Sequence, residues 1–176
     1  QEGKILHWGM SEASARSIRQ AHAVCPLSAV QSEYAIWWRE PETKIFPTLE
    51  KLGIGFVPYC PLGRAFLTGV IDENNRFGKS DRRATLPRFT PEALKHNMPL
   101  VVLVREWAKR KGVTPAQFSL MWILSRKSWI VPIPGTTNLD HLDDLVGATD
   151  VYLTAYEMEE FDREYSKIGL MGHRAD

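Results

Sequence analysis

The sequence has few cysteines and no long apolar run. Its two cysteines, Cys25 and Cys60, lie in different strand-like segments without the spacing of metal ligands around them. We therefore expect neither a disulfide scaffold nor a metal site, and a reduced, cytoplasmic setting fits best. No apolar run approaches the ~20 residues that a bilayer-spanning helix needs. The sequence therefore gives no reason to expect a membrane partner.

An excess of one charge sign is also missing. The formal net charge is +1, and acidic and basic residues are interspersed along the chain. This balance offers no electrostatic attraction for nucleic acid or for an anionic membrane surface. The hydrophobic fraction of 44% and the charged fraction of 24% are close to the globular average. At 176 residues the chain is one domain's worth of sequence, long enough for a sizeable core.

Strand-like and helix-like segments alternate along the chain. Short apolar runs predict strands at 5–9, 27–34, 54–59 and 129–133. Periodic segments and capping residues predict helices at 12–23, 42–52, 91–111, from 115 onward and at 154–165. This alternation favours an α/β fold with a parallel sheet.

Two α/β architectures are open at this point, a doubly wound sheet or part of a (β/α)8 barrel. The Gly-x-Gly-x-x-Gly fingerprint of doubly wound dinucleotide-binding sheets follows none of the predicted strands. A phosphate-type turn after the last strand is instead typical of barrels. Because a whole barrel takes about 250 residues, this chain would supply roughly half of one.

The segment 129–148 contains that turn. An apolar run predicts a strand buried on both faces, and Pro134-Gly135 then leads into a helical pattern. The residues at the helix start, Thr136, Thr137 and Asn138, are all of capping types. Unpaired N–H groups, the helix dipole and a nearby glycine together favour an anion site. The alternative is an ordinary capped helix after an ordinary strand.

Two segments lack a regular pattern. Residues 70–91 are too long for a simple connector, which predicts either a lid or a disordered linker. Arg82 and Arg83 within this segment read as a solvated face. The tail from Gly169 to Asp176 reads as mobile.

Four short motifs stand in order at the exits of the predicted strands. They are Gly9-Met10-Ser11-Glu12, Gln31-Ser32-Glu33-Tyr34, Val57-Pro58-Tyr59-Cys60-Pro61-Leu62-Gly63 and Val131-Pro132-Ile133-Pro134-Gly135-Thr136. Together these motifs resemble the C-terminal half of an aldo-keto reductase over essentially the whole chain.

The resemblance implies a (β/α)8 TIM barrel of which residues 1–176 supply only strands five to eight and their helices. It implies an NADPH-dependent enzyme that reduces a small carbonyl substrate, an aldehyde or ketone, by hydride transfer. We expect the chain to begin partway through the fold. Its partner would then be the missing N-terminal half of the barrel or a second copy.

The same resemblance implies which residues hold the cofactor. Ser11 and Gln31 correspond to the residues that bind the nicotinamide amide, and Tyr59 to the aromatic residue that stacks on the nicotinamide ring. The loop after Tyr59 corresponds to the stretch along the pyrophosphate, and the start of the last motif's helix to the stretch that holds the adenosine ribose phosphate. These two stretches comprise Cys60, Pro61, Leu62 and Arg64, and Gly135, Thr136, Thr137, Asn138, His141 and Asp144.

Three positions depart from the family pattern. Glu12 stands where the family usually has asparagine, and a carboxylate cannot donate a hydrogen bond. His141 stands where an arginine often holds the 2′-phosphate of NADPH, and histidine is only partly charged at neutral pH. Leu145 replaces the asparagine that commonly contacts adenine. NADH is therefore open as an alternative cofactor.

No position matches the family's catalytic Asp, Tyr, Lys and His, which come from the first half of the barrel. Tyr34, Tyr59, His7 and Lys4 do not correspond to them, so we assign no catalytic residue. Without a phenol beside a lysine, the carbonyl oxygen has no general acid. The chain alone is therefore expected to be inactive. Two alternatives follow: a non-catalytic nucleotide-binding half-barrel, or an assembly module that functions only with a partner.

Overall fold

The computed structural model describes residues 2–174, which contain three strands and seven α-helices. The strands are β1 (Gly9–Ser11), β2 (Ala29–Glu33) and β3 (Gly55–Tyr59). The helices are α1 (Ala15–Val24), α2 (Glu40–Lys44), α3 (Phe46–Leu52), α4 (Pro91–Lys111), α5 (Pro115–Leu124), α6 (Leu139–Val146) and α7 (Ala155–Tyr165). The prediction of an α/β fold is confirmed.

The three strands form one parallel sheet in the order β1-β2-β3. Ser11 pairs in register with Gln31, and Glu33 with Tyr59. Parallel neighbours need a crossover between them, and α1 and then α2 with α3 supply the two crossovers. The first predicted strand was misplaced, because the chain pairs at 9–11 while Leu6 is 92% exposed.

The prediction of a fully buried fourth strand at 129–133 is wrong. This segment runs parallel to β3, but only one bridge, Ile130 to Phe56, forms there. The Val131 and Ile133 N–H groups donate to the Phe56 and Pro58 carbonyls at 2.9 and 3.0 Å, but Pro58 has no N–H group with which to continue the ladder. Ile130 is 2% exposed, whereas Val131 is 62% exposed, so the segment is buried on one face only.

One face of the sheet carries the core, and the other is open. Val30 and Phe56 point to the covered face and are fully buried. Behind them, aromatic side chains of the later helices pack together, with Phe118 and Phe161 ring centroids 5.2 Å apart. Successive side chains of a strand alternate between faces, so Ser11 and Gln31 lie on the open face. Both are exposed.

Four helices begin at residues whose side chains cap them. The side chains of Thr90, Thr114, Asn138 and Thr154 each accept a hydrogen bond from a backbone N–H in the first turn of α4, α5, α6 and α7, respectively. Such caps satisfy donors that have no partner within the helix. Local chemistry therefore fixes these helix starts.

Two helix predictions were wrong in their bounds. The helix predicted at 12–23 begins at Ala15 with Ser14 as its cap, because Glu12 has a positive φ of 52°, outside the range of a right-handed helix. The single helix predicted at 42–52 is two, α2 and α3, which meet at Ile45. Pro47 lacks the N–H group that a continuous helix would need there.

A polar network ties α7 to the layer behind the sheet. The Asp162 carboxylate accepts hydrogen bonds from Arg39 at 2.5 Å and from Arg126 at 2.6 Å. Arg126 also donates to Glu42, which in turn accepts the hydroxyl hydrogen of the buried Tyr34 at 2.8 Å. Each charged group has a counter-charge, which offsets the cost of burying it, although the Nη2 of Arg39 has no hydrogen-bond partner among the described residues.

The structure tests the predictions for the two irregular segments, 70–91 and the tail, to different extents. Residues 70–91 contain only short 3-10 turns, Arg82–Thr85 and Pro87–Phe89, so the prediction of an irregular stretch is confirmed, and the lid stays a prediction. Residues 169–174 of the tail make hydrogen bonds to the rest of the described chain, and the predicted mobility of the tail stays a prediction. Asn97, 1% exposed, donates to the Met171 carbonyl at 2.9 Å and accepts from its N–H at 2.8 Å. Residues 175 and 176 lie outside the described residues.

Candidate cofactor-binding site

The predicted nicotinamide contacts lie on the open face of the sheet, near the carboxyl ends of the strands. Ser11 ends β1, Tyr59 ends β3, and Gln31 lies between them on β2. Since Ser11 and Gln31 are register partners, their side chains project side by side. The Gln31 side chain is exposed. Its amide is therefore accessible to a ligand on this face.

The loop after β3 has an unusual backbone. Cys60, Gly63, Arg64 and Ala65 all have positive φ angles, between 50° and 74°. Only glycine adopts such angles without strain, and local strain of this kind concentrates at ligand sites. Gly63 also lies so close to the Trp37 ring that a Cβ atom would come within 2.9 Å of it. The loop is thus held in one particular shape.

This loop and the segment before α6 enclose a cleft of about 750 Å³. The volume lies within the ~300–1,000 Å³ range of small-molecule and cofactor sites. Eight of the thirteen predicted cofactor residues line it. They are Cys60, Pro61, Leu62, Arg64, Gly135, Thr136, His141 and Asp144.

Thr137 and Asn138, also predicted, are not among the residues that line the cleft. The Asn138 side chain caps α6, where its Oδ1 accepts from the Asp140 N–H at 2.9 Å. The Thr136 hydroxyl accepts from the Asn138 N–H at 3.1 Å. These hydrogen bonds are compatible with both alternatives for this turn, an anion-binding site and an ordinary helix cap.

Sequence reasoning missed the cations of the long irregular segment. Asp81, Arg82 and Arg83 line the cleft together with the predicted residues, so this arginine pair is not simply a solvated face. Arg83 pairs with Asp81 at 2.7 Å, and its Nη1 donates to the Arg64 carbonyl at 3.3 Å. The adjacent arginines in a long loop were the one signal that could have identified them.

The tail adds another unpredicted residue at the strand ends. Arg174 donates to Glu12 at 2.5 Å and to the Tyr59 hydroxyl at 3.0 Å. Its Nε lies 3.4 Å from the buried Glu33 carboxylate. Glu12 further accepts from the Glu33 N–H at 2.9 Å. Glu12, which stands where the family usually has asparagine, therefore accepts a hydrogen bond from Arg174 of the tail.

These contacts shift the ionisation of the groups. Burial raises the pKa of Glu12, but the hydrogen bonds from Arg174 and from the Glu33 N–H outweigh it and hold that pKa below its usual value. Burial, with the neighbouring Glu12 carboxylate, raises the pKa of Tyr59 to about 12. Tyr59 therefore stays a neutral phenol at physiological pH, and Glu12 an anion.

Within residues 2–174 no group of three or more His, Cys, Asp or Glu side chains could hold a metal ion. In the same part of the chain, none of the helices combines the length and apolar character that crossing a membrane would take. Cys25 and Cys60 are both free thiols, and burial raises the pKa of Cys60.

Two solved structures share this fold. The chain superposes on the glycerol dehydrogenase from Gluconobacter oxydans with a TM-score of 0.85 at 24% identity, covering 96% of this chain and 51% of that one. It superposes on a thermostable aldo-keto reductase in complex with the inhibitor epalrestat with a TM-score of 0.67 at 24% identity, covering 90% and 48%. The chain thus spans about half the length of these structures.

The model of the aldo/keto reductase family matches residues 1–165. Together with the structural likeness, this match identifies the fold as the TIM-barrel type of that family, of which the described residues form a three-stranded parallel part. The chain belongs to the aldo/keto reductase family.

Proposed function

We propose that this chain provides most of the NADPH site of an aldo-keto reductase that reduces an aldehyde or ketone. The observation that carries the proposal is the cleft of about 750 Å³, because it joins two sequence-distant predicted stretches and extends to Cys60, the neighbour of Tyr59. Family membership supports oxidoreductase chemistry. We further propose that the described strands and the 129–133 segment correspond to strands five to eight of the barrel.

The residues fit a dinucleotide along this path. The Tyr59 ring would stack on the nicotinamide, with the exposed Ser11 hydroxyl and Gln31 amide as partners for its carboxamide. Arg64 and Arg82 line the cleft and would neutralise the pyrophosphate. The start of α6, with Thr136 and His141 nearby, would take the ribose phosphate.

Bound nicotinamide supplies a hydride for the carbonyl carbon, and the carbonyl oxygen must then receive a proton. This chain's residues bind and orient, and none is assigned as the proton donor. Tyr59 is unsuitable, since burial and a carboxylate neighbour raise its pKa to about 12, far above the operating pH. A missing half-barrel or a second copy stays our proposal for the source of the general acid.

The open face of the sheet supports the need for a partner. Exposed apolar side chains such as Val131 and Ile133 flank that face, 62% and 45% exposed. Apolar surface at an open sheet is expected to become covered on assembly. NADPH is proposed over NADH on the family resemblance, and a cytoplasmic setting stays a prediction.

The test is carbonyl-dependent oxidation of NADPH by the protein as its cell produces it, with a panel of aldehydes and ketones. We expect turnover that falls in a Tyr59→Leu variant and is retained in Tyr59→Phe. Saturable NADPH binding with no turnover on any substrate would instead establish the non-catalytic nucleotide-binding alternative. Absence of both binding and turnover would contradict the proposal altogether.

A further inference from the structure

A second, smaller cavity lies beside Tyr59. Its volume is about 120 Å³, and Arg64 and Arg82 line both this cavity and the larger cleft. Because cofactor sites are typically ~300–1,000 Å³, a cavity of this size takes one small group and no nucleotide. We call it the arginine cavity, after the guanidinium groups among its lining residues Glu33, Tyr59, Arg64, Arg82, Arg88 and Arg174.

Arg88 supplies a hydrogen-bond donor that lacks an acceptor. Its side chain is 7% exposed, and its Nη1 donates to Glu33 at 3.0 Å. Its Nη2 is buried and has no hydrogen-bond partner among residues 2–174. The guanidinium carbon lies 4.6 Å from the centroid of Trp38 and 5.0 Å from that of Trp37, which holds the group in place. A buried donor without an acceptor is costly, so a ligand that accepts from it would be stabilised.

Positive charge around the cavity exceeds negative charge. Glu33 is the one carboxylate among the described lining residues, and Arg88 and Arg174 both lie against it. Arg64 and Arg82 make no ion pair within residues 2–174. The planar guanidinium group of arginine can donate two parallel hydrogen bonds to a carboxylate, which it therefore binds more strongly than it binds a neutral group. The cavity therefore combines an unsatisfied buried donor with uncompensated charge.

We propose that the arginine cavity binds a carboxylate carried by the carbonyl substrate, so that the preferred substrates are oxo acids. This inference rests on the proposed reductase function, since it places the acid group next to Tyr59 and hence next to the proposed nicotinamide position. Arg88 would set this specificity by direct contact with the carboxylate, and Arg82, which lines both cavities, would add positive charge between the carboxylate and the cofactor's pyrophosphate.

A second ligand could supply the anion that the arginine cavity binds. A phosphate of the cofactor is also an anion, and Arg64 and Arg82 reach into both cavities. The two sources differ in one respect. A substrate carboxylate must bind together with NADPH, whereas a site for the cofactor's own phosphate is filled when NADPH is bound.

The experiment titrates the full chain with acetate and, in parallel, with the neutral isostere acetamide, both without and with saturating NADPH. Tryptophan fluorescence is the readout because Trp37 lines the cavity. Thermal unfolding is a second readout, since a ligand that binds only the folded state raises the unfolding temperature. We expect saturable acetate binding in both conditions and none by acetamide.

Matched variants locate the site. Arg82→Gln removes an exposed charge and is expected to weaken acetate binding roughly tenfold, the change for about one charge-assisted hydrogen bond. Arg76→Gln removes the same charge from an exposed position of the same irregular segment that lines neither cavity, and is expected to have no effect. Arg88→Lys keeps the charge beside Glu33 but removes the second N–H group, and is expected to weaken acetate binding as well.

The outcomes separate this inference from the function on which it rests. Normal NADPH binding without acetate binding, or equal weakening by Arg76→Gln and Arg82→Gln, would overturn the oxo-acid inference alone. Mutually exclusive binding of acetate and NADPH would assign the cavity to a cofactor phosphate and also overturn it. Failure of NADPH to bind at all would overturn the proposed function as well.

Discussion

Arg174 donates a hydrogen bond to the Tyr59 hydroxyl at 3.0 Å, across 115 positions of sequence. The tail thus returns to the carboxyl ends of the strands, where the same guanidinium also contacts Glu12. Gly172 makes this return possible. Its φ is 87°, and a Cβ atom there would lie 2.9 Å from the backbone of Arg88. The proposed nicotinamide position and the tail are therefore neighbours.

Replacement of the Tyr59 ring tests the proposed stacking. Tyr59→Leu keeps an apolar side chain without a π face, and we expect NADPH affinity to fall roughly three- to tenfold. Tyr59→Phe keeps the ring and loses only the hydroxyl that accepts from Arg174, so affinity should stay near that of the parent chain. Fluorescence titration with NADPH measures both. Equal losses in the two variants would count against stacking.

His141 tests the assignment of the ribose phosphate. His141→Arg adds a permanent cation at an exposed position that lines the large cleft, and should strengthen NADPH binding about tenfold. NADH lacks the 2′-phosphate, so its affinity should not change. Parallel titrations with both cofactors and with His141→Gln as the uncharged control give the comparison. Improved NADH binding by the same factor would contradict the assignment.

Asn97 tests the attachment of the tail. Asn97→Ala removes both hydrogen bonds to the Met171 backbone, which should lower the free energy of unfolding by about 1–3 kcal/mol. Amide hydrogen exchange at Met171 should accelerate because its N–H loses its acceptor. Lys95→Ala, at an exposed position of α4, is the control. Unchanged exchange at Met171 would show that other contacts hold the tail.

Asp162 tests the network behind the sheet. The carboxylate bridges Arg39 and Arg126 and is 33% exposed. Asp162→Asn should therefore cost about 2 kcal/mol of unfolding free energy at neutral pH, less than the ~3–5 kcal/mol of a fully buried pair. Chemical denaturation measures it, with the exposed Asp150→Asn as control.

The Asp162 effect should also depend on pH. Burial raises the pKa of this carboxyl, but the charges of Arg39 and Arg126 outweigh burial and lower it below its usual value. Its contribution is then fully present above the unfolded-state pKa of about 3.9 and is lost as the pH falls through the lower folded-state pKa. The difference between parent and Asp162→Asn should shrink in that acid range. A difference independent of pH down to full unfolding would contradict this.

Helix starts could be predicted from sequence because their cause is local. Thr90 and Thr114 each cap the helix that begins one residue later, and the chemistry lies within four residues. Strands were less predictable. The apolar run at 129–133 forms a single bridge because strand formation depends on a partner elsewhere in the chain, and the partner strand has Pro58, without an N–H group, at the next ladder position.

In the candidate site, too, the residues within local motifs could be predicted from sequence and the residues brought in by the tertiary fold could not. The stretches around Leu62 and Thr136 were identified by motif and line one cleft. The roles of Arg82 and Arg174 could not be read from sequence, because an irregular segment and a tail carry no periodicity that indicates where they pack. Contacts such as that between Arg174 and Glu12, 162 positions apart, arise only from the tertiary fold.

The central claim is that residues of this chain bind NADPH in the cleft between the loop after β3 and α6. The most direct measurement is a fluorescence titration of the chain with NADPH, repeated with Thr136→Val and with Thr149→Val as a control outside the cleft. We predict saturable one-to-one binding that Thr136→Val weakens and Thr149→Val leaves unchanged. No saturable binding, or binding that neither the Thr136 nor the Tyr59 variants alter, would contradict the account.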